Sequence, residues 1–135
     1  MIRGVDVKQL EEMRLFSGIS RNELERVAKS AIEVDVPEGF YLVRQGHIAY
    51  EFFVIQSGTA DVVRDGEKIA DLGPGDFFGE IGMMETERRT ADVVATSPMF
   101  LVVMHQRHFT KIEEELPTVA DRIRSAVRAR LDHAS

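Results

Sequence analysis

The sequence contains no cysteine. That excludes disulfides, thiol nucleophiles and thiolate metal sites, and nothing in the chain speaks for an oxidising compartment. No apolar run approaches the roughly 18 residues of a membrane-crossing helix, and the opening Met1-Ile2-Arg3-Gly4-Val5-Asp6 has no signal-peptide core. A soluble, cytoplasmic protein that engages no membrane is the expectation. Basic charge is also short: 17 Lys and Arg stand against 23 Asp and Glu, a formal charge of −6. A general nucleic-acid binder carries a basic face, so no nucleic-acid partner is expected. The arginines that do cluster, Arg122, Arg124, Arg128 and Arg130, read as a solvated helix face, as does Glu113-Glu114-Glu115. The histidines are scattered at His47, His105, His108 and His133, and only His105 and His108 are close. A metal centre needs clustered ligands, and no nucleophile stands with a base, so neither metal catalysis nor any other turnover is expected. The chain carries no internal repeat and no low-complexity stretch, and its 135 residues suffice for one domain, burying about 68% of the unfolded surface.

What is present is a change of period. Residues 6–15 place Val7, Leu10, Met13 and Leu15 on one helical stripe. Phe16-Ser17-Gly18-Ile19 breaks it, and Ser20-Arg21-Asn22-Glu23 has capping-box spacing before a second helix with Leu24, Val27, Ala28 and Ala31 inward. Two helices therefore precede the first expected strand. From Val34 the alternation becomes two-residue: Val34 and Val36, then Phe40 to Val43, Phe52 to Ile55, Thr59 to Val63, Lys68 to Leu72, Asp92 to Thr96 and Met99 to Met104, with Asp65-Gly66 as a hairpin signal. Many short strands at even spacing predict an antiparallel β jelly-roll barrel over 34–105, so the fold class is α+β and mainly β, with helices at both ends. Helical spacing resumes over 107–132. Pro117 divides it, and Thr118 caps a last helix whose Val119, Ile123, Val127 and Leu131 recur every four residues. Such a stripe can rest on the barrel, pair with a second copy in a homodimer, or fold over a ligand.

The chain is organised around residues 77–91. Gly73-Pro74-Gly75-Asp76 is a tight turn leading into Phe77-Phe78-Gly79-Glu80. Gly79 lets a ligand approach the backbone, and a short helical turn over Glu80-Ile81-Gly82-Met83-Met84 would present unsatisfied N–H groups to an anion. Arg89 follows a short loop later, where its guanidinium fork suits the same anion. Glu80 would repel a phosphate; its carboxylate is better suited to accept from a sugar hydroxyl.

With Phe-Gly-Glu-Ile at 78–81 and Arg89-Thr90-Ala91 closing the loop, the segment resembles the phosphate-binding cassette of the cyclic nucleotide-binding domain family, the module of catabolite activator protein-like and protein kinase A regulatory subunit-like proteins. The likeness extends to glycines at Gly39, Gly46, Gly58, Gly73 and Gly75. It implies a non-enzymatic receptor without a cofactor, whose ligand is a cyclic mononucleotide, cyclic AMP favoured over cyclic GMP. Gly79, Glu80, Ile81, Gly82, Arg89, Thr90 and Ala91 would hold the cyclic phosphate and ribose. Val62, Ile69 and Ala70 match the family's pocket-lining positions, although apolar strand residues serve equally as ordinary core. Thr90 is open between a donor to the phosphate, a hydrogen-bond partner of a guanine amine and a plain strand residue. The final helix is the family's moving part, shutting over the base and passing the signal to an effector protein. With four residues beyond Leu131, the chain reads either as a stand-alone sensor or as a piece of a longer one. Gly82, Arg88 and Asp92 depart from the commonest pattern. Asp92, three residues past Arg89, offers a carboxylate that could compete for the guanidinium, although in a strand odd and even positions face opposite sides. Asp92 and Gly82 together motivate the alternative of a protein-interaction scaffold that keeps the fold without the nucleotide.

Overall fold

The fold is that of a computed structural model in which residues 2–47, 51–78 and 89–134 are described, apart from the side chains of 2, 106 and 126–134. The N-terminal part runs β1 (Ile2–Gly4), α1 (Val7–Glu11), a 3-10 turn (Arg14–Phe16) and α2 (Arg21–Lys29). Next come β2 (Ala31–Val36), β3 (Tyr41–Val43), β4 (Glu51–Ser57), β5 (Ala60–Arg64), β6 (Glu67–Leu72) and β7 (Phe77–Phe78). The chain continues through β8 (Asp92–Ala95), β9 (Met99–His105), α3 (Gln106–Glu115) and α4 (Pro117–Ala134).

The strands form two antiparallel sheets, a five-stranded one in the order β1-β2-β9-β4-β7 and a four-stranded one in the order β3-β8-β5-β6. Side-chain alternation explains why β4 and β9 are apolar nearly throughout. Phe52, Val54, Val102 and Met104 point to a cluster shared with the helices, while Phe53, Ile55, Leu101 and Val103 point to a second cluster between the sheets. A strand buried on both faces loses the polar half of the usual alternation. The β5–β6 hairpin turns through Asp65 at φ 52° and Gly66 at φ 81°, both positive as a two-residue type I′ turn requires. At Gly58, φ is +93° and an added Cβ would lie 2.8 Å from the Met99 Cα and closer still to the Pro98 carbonyl, so no other residue fits.

The architecture is the mainly β, jelly-roll-like α+β fold expected, with differences at the ends. A strand, β1, comes before both helices and pairs with β2 through Ile2↔Val34 and Gly4↔Ile32. Three residues are too few for periodicity to announce; a nonlocal partner makes the strand. The helix expected over 6–15 is split, because Met13 is extended at φ −87°, ψ 128°. That break lets Met13, Leu15 and Phe16 all be buried with Leu10 and Leu24. Ala31, expected on the second helix, starts β2 opposite Met104. Pro117 is the first residue of α4, where its missing N–H costs nothing, so Thr118 is inside the helix and not its cap. Of the final stripe, Val119 and Ile123 are fully buried with Leu15 and Phe16. Arg122 donates to the Arg14 carbonyl at 3.3 Å and the Ser17 hydroxyl at 3.2 Å, tying the same stretch to the 3-10 turn. The first turns of α4 therefore rest on the helical layer. The side chains of Val127 and Leu131 lie outside the described residues.

Candidate functional site

The turn that leads to the cassette is fastened to β4. Gly75 N donates to the Ile55 carbonyl at 2.9 Å and Ile55 N to the Asp76 carbonyl at 2.8 Å. The Asp76 carboxylate also accepts from Gly73 N at 2.8 Å. The following aromatics are fixed in turn: Phe77 packs tilted on Phe52 at 5.9 Å, and Phe78 stacks on Phe53 with centroids 4.6 Å apart and planes 8° from parallel. Gly79, Glu80, Ile81 and Gly82, together with the short helical turn expected after Gly79, lie outside the described residues.

The chain re-enters at Arg89, whose guanidinium carbon lies 5.9 Å from the same Phe53 ring. Phe78 and Arg89, eleven positions apart, thus meet on one buried side chain. The Arg89 Nη2 donates to the Glu51 carbonyl at 2.6 Å. Its backbone is clamped on both sides, N donating to the His47 carbonyl at 2.8 Å and O accepting from Gly46 N at 2.9 Å. Around it is a cleft of about 260 Å³ lined by Tyr41, Leu42, Val43, Arg44, His47, Glu51 and Arg89. The Arg44 guanidinium stacks over the Tyr41 ring at 4.1 Å. Two arginines and a histidine around one small opening suit an anion.

Thr90 is exposed and its carbonyl accepts from Arg64 Nε at 3.3 Å, whereas Ala91 is buried. Val62 is half-buried against the inter-sheet cluster and pairs with Ala70, so the two share the inward face. Ala70 is nevertheless exposed, as is most of β6. Ile69, 49% exposed, is the unpaired residue of a bulge between the Val62↔Ala70 and Val63↔Lys68 pairs. An apolar inner face left without cover is unusual in ordinary core, and bulges gather beside binding sites. The Asp92 carboxylate is engaged away from Arg89: its Oδ1 accepts from Gln45 N at 2.7 Å. Sequence reasoning missed Tyr41, Arg44, Gln45, His47 and Glu51, because only strand pairing and loop hydrogen bonds between distant segments bring residues 41–47 and Glu51 to Arg89. Among the described residues no group of three or more His, Asp or Glu could hold a metal ion.

Known proteins carry the same frame. Residues 33–115 match the family described as Cyclic nucleotide-binding domain, and the chain belongs to that family. The cAMP-dependent protein kinase regulatory subunit of Yarrowia lipolytica is 31% identical over 105 residues, which is 78% of this chain and 28% of that protein. A cAMP-binding acyltransferase from Mycobacterium smegmatis superposes with a TM-score of 0.76 at 32% identity, covering 94% of this chain and 41% of the other. The Thermus thermophilus catabolite activator protein gives a TM-score of 0.79 at 26% identity, over 89% and 59%. The chain thus spans between about a quarter and three fifths of these relatives' lengths, and the remainder of each has no counterpart in the matched stretch.

Proposed function

We propose that this chain is a receptor module for a cyclic mononucleotide, cyclic AMP ahead of cyclic GMP. The observation that carries the reading is the meeting of Phe78 and Arg89 on Phe53, beside a cleft whose lining includes Arg89. The ends of the cassette stretch are thereby held together, with a guanidinium at the closure. Arg89 and the amides of Gly79–Gly82 neutralise the cyclic phosphate, and Glu80 accepts from the ribose 2′-hydroxyl. The base lies along the uncovered apolar positions of Val62, Ile69 and Ala70. Two of the relatives bear cyclic AMP in their names, which supports that choice of base. Of the two residues behind the scaffold alternative, Asp92 has its carboxylate engaged elsewhere and Gly82 lies outside the described residues.

Output passes through α4 to an effector protein by population shift. Closure by the whole of residues 118–132 would strip Val119, Ala120 and Ile123 from a cluster in which each is fully buried. The two larger side chains alone cost about 1.5–3 kcal/mol apiece to expose. A nucleotide must supply that much differential affinity to move the equilibrium.

A thermal melt tests the reading. At one hundred times its dissociation constant, cyclic AMP adds about 2.7 kcal/mol, several degrees in Tm. The expected result is a shift with cyclic AMP, none with 5′-AMP, and its loss in Arg89→Ala. No shift with either cyclic nucleotide at millimolar concentration would sink the receptor reading.

A further inference from the structure

We infer that Gln45 is a positioning residue for nucleotide binding: it clasps the β5–β6 hairpin to the turn that holds Arg89. The inference rests on the receptor reading above. Gln45 bonds two carboxylate residues through its backbone N and both side-chain polar atoms. Its backbone N donates to Asp92 Oδ1 at 2.7 Å. Its side-chain Nε2 donates to Asp65 Oδ1 at 2.8 Å, and its Oε1 accepts from Asp65 N at 3.0 Å. The next two residues deliver the clamp on Arg89, Gly46 through its N–H at 2.9 Å and His47 through its carbonyl at 2.8 Å. Arg64, the neighbour of Asp65, closes the ring on the Thr90 carbonyl at 3.3 Å.

Three segments distant in sequence, residues 45–47, 64–65 and 89–92, are thus joined by six hydrogen bonds around the backbone of Arg89. They lie in loops or at strand ends, and the side chains of Gln45, Arg64 and Asp65 are exposed. Asp65 suits its place for two reasons. It tolerates the left-handed conformation at φ 52°, and its carboxylate and amide together offer the acceptor and donor that a primary amide matches in pairs. Asp92, placed to compete for Arg89, instead orders the turn that aims it. A guanidinium fixed before the ligand arrives binds an anion without the entropy of being ordered at that moment.

The test uses the purified chain, with cyclic AMP and cyclic GMP as probes in titration calorimetry and amide exchange followed by NMR without ligand. Gln45→Ala is expected to weaken binding by roughly 3- to 10-fold, the range for loss of one or two exposed hydrogen bonds. Its ligand-free Tm should move no more than for an ordinary surface substitution. Gln45→Glu, which lacks the Nε2 donor and faces two carboxylates, is expected to be worse than alanine. Asp92→Asn keeps an acceptor for the Gln45 amide and should recover most of what Asp92→Ala loses. In Gln45→Ala the amides of Gly46 and Arg89 should exchange faster while that of Ile55 does not. Tighter binding in both Asp92 variants would mean that the carboxylate was a competitor and would overturn the clasp. So would unchanged exchange at Gly46 and Arg89, or unchanged affinity in Gln45→Ala with intact wild-type binding. If the wild type binds neither nucleotide, the receptor reading itself falls and the affinity claim falls with it; the exchange measurement keeps the two failures apart.

Discussion

Replacing Phe53 by leucine asks whether the ring on which the ends of the cassette meet is a ligand-site element or merely core. Phe53 is 4% exposed, stacks on Phe78 at 4.6 Å and lies 5.9 Å from the Arg89 guanidinium carbon. A shape-changing apolar swap costs up to about 1.5 kcal/mol, and the stacked pair adds about 0.5–1.5 kcal/mol. The variant should therefore lose about 1–3 kcal/mol and melt roughly 5–10 °C lower. The guanidinium–ring contact contributes about 0.5–1 kcal/mol, so cyclic AMP affinity should fall about 3- to 5-fold. Phe52→Leu is the matched control. It is 1% exposed on the same strand and packs against Phe77 at 5.9 Å, but faces the helical layer. Its melting temperature should fall similarly while affinity changes by less than about 2-fold. Urea unfolding monitored by circular dichroism, paired with calorimetric titration, measures both quantities. Equal losses of affinity in the two variants, or none in Phe53→Leu, would refute the placement of the ligand at Phe53.

Two other perturbations have defined outcomes. Ile123→Ala, at a fully buried site, should cost about 2–5 kcal/mol in urea unfolding; if α4 must leave its seat for the nucleotide to close the site, the variant should bind cyclic AMP more tightly than wild type, and weaker binding would count against that output. The exposed Lys68 contacts Asp71 at 2.6 Å and Asp61 at 3.3 Å, which raises its pKa, and Lys68 in turn lowers that of Asp71. The Asp71 contribution is present above its unfolded pKa near about 3.9 and is lost as pH falls through the lowered folded value; that of Lys68 is full below about 10.4 and is lost as pH rises through the raised one. The Tm deficit of Lys68→Met should thus be small, level from about pH 5 to 9, narrower at both extremes, and reduced in 1 M salt; a deficit that grows outside that window would contradict the pairing.

The parts that were legible in the sequence are those fixed by neighbours along the chain. Gly73-Pro74-Gly75-Asp76 announced its turn through residues that favour one, Asp65-Gly66 announced the hairpin, and the alternation of β5 and the unbroken apolar runs of β4 and β9 announced strands. What was hidden depends on partners far away. Ile2–Gly4 becomes a strand because β2 is beside it, and Met13 leaves the helix because three apolar side chains find burial by doing so. At the site, Arg89 could be picked out from the residues around it, whereas Arg44, Gln45 and His47 acquire meaning only when register sets them next to it. The part of Asp92 was open in the sequence for the same reason: sequence distance put its charge near Arg89, and only the fold offers it the Gln45 amide.

Because consecutive residues of β4 face opposite ways, Phe53 belongs to the compartment of the proposed ligand and Phe52 to the one that seats α4. The five-stranded sheet therefore stands between the proposed site and the seat of α4. Phe52 and Phe53 are neighbours in the chain, so a tilt of β4 that shifts one ring shifts the other, and a disturbance at the proposed site is felt one side chain away beneath the helix.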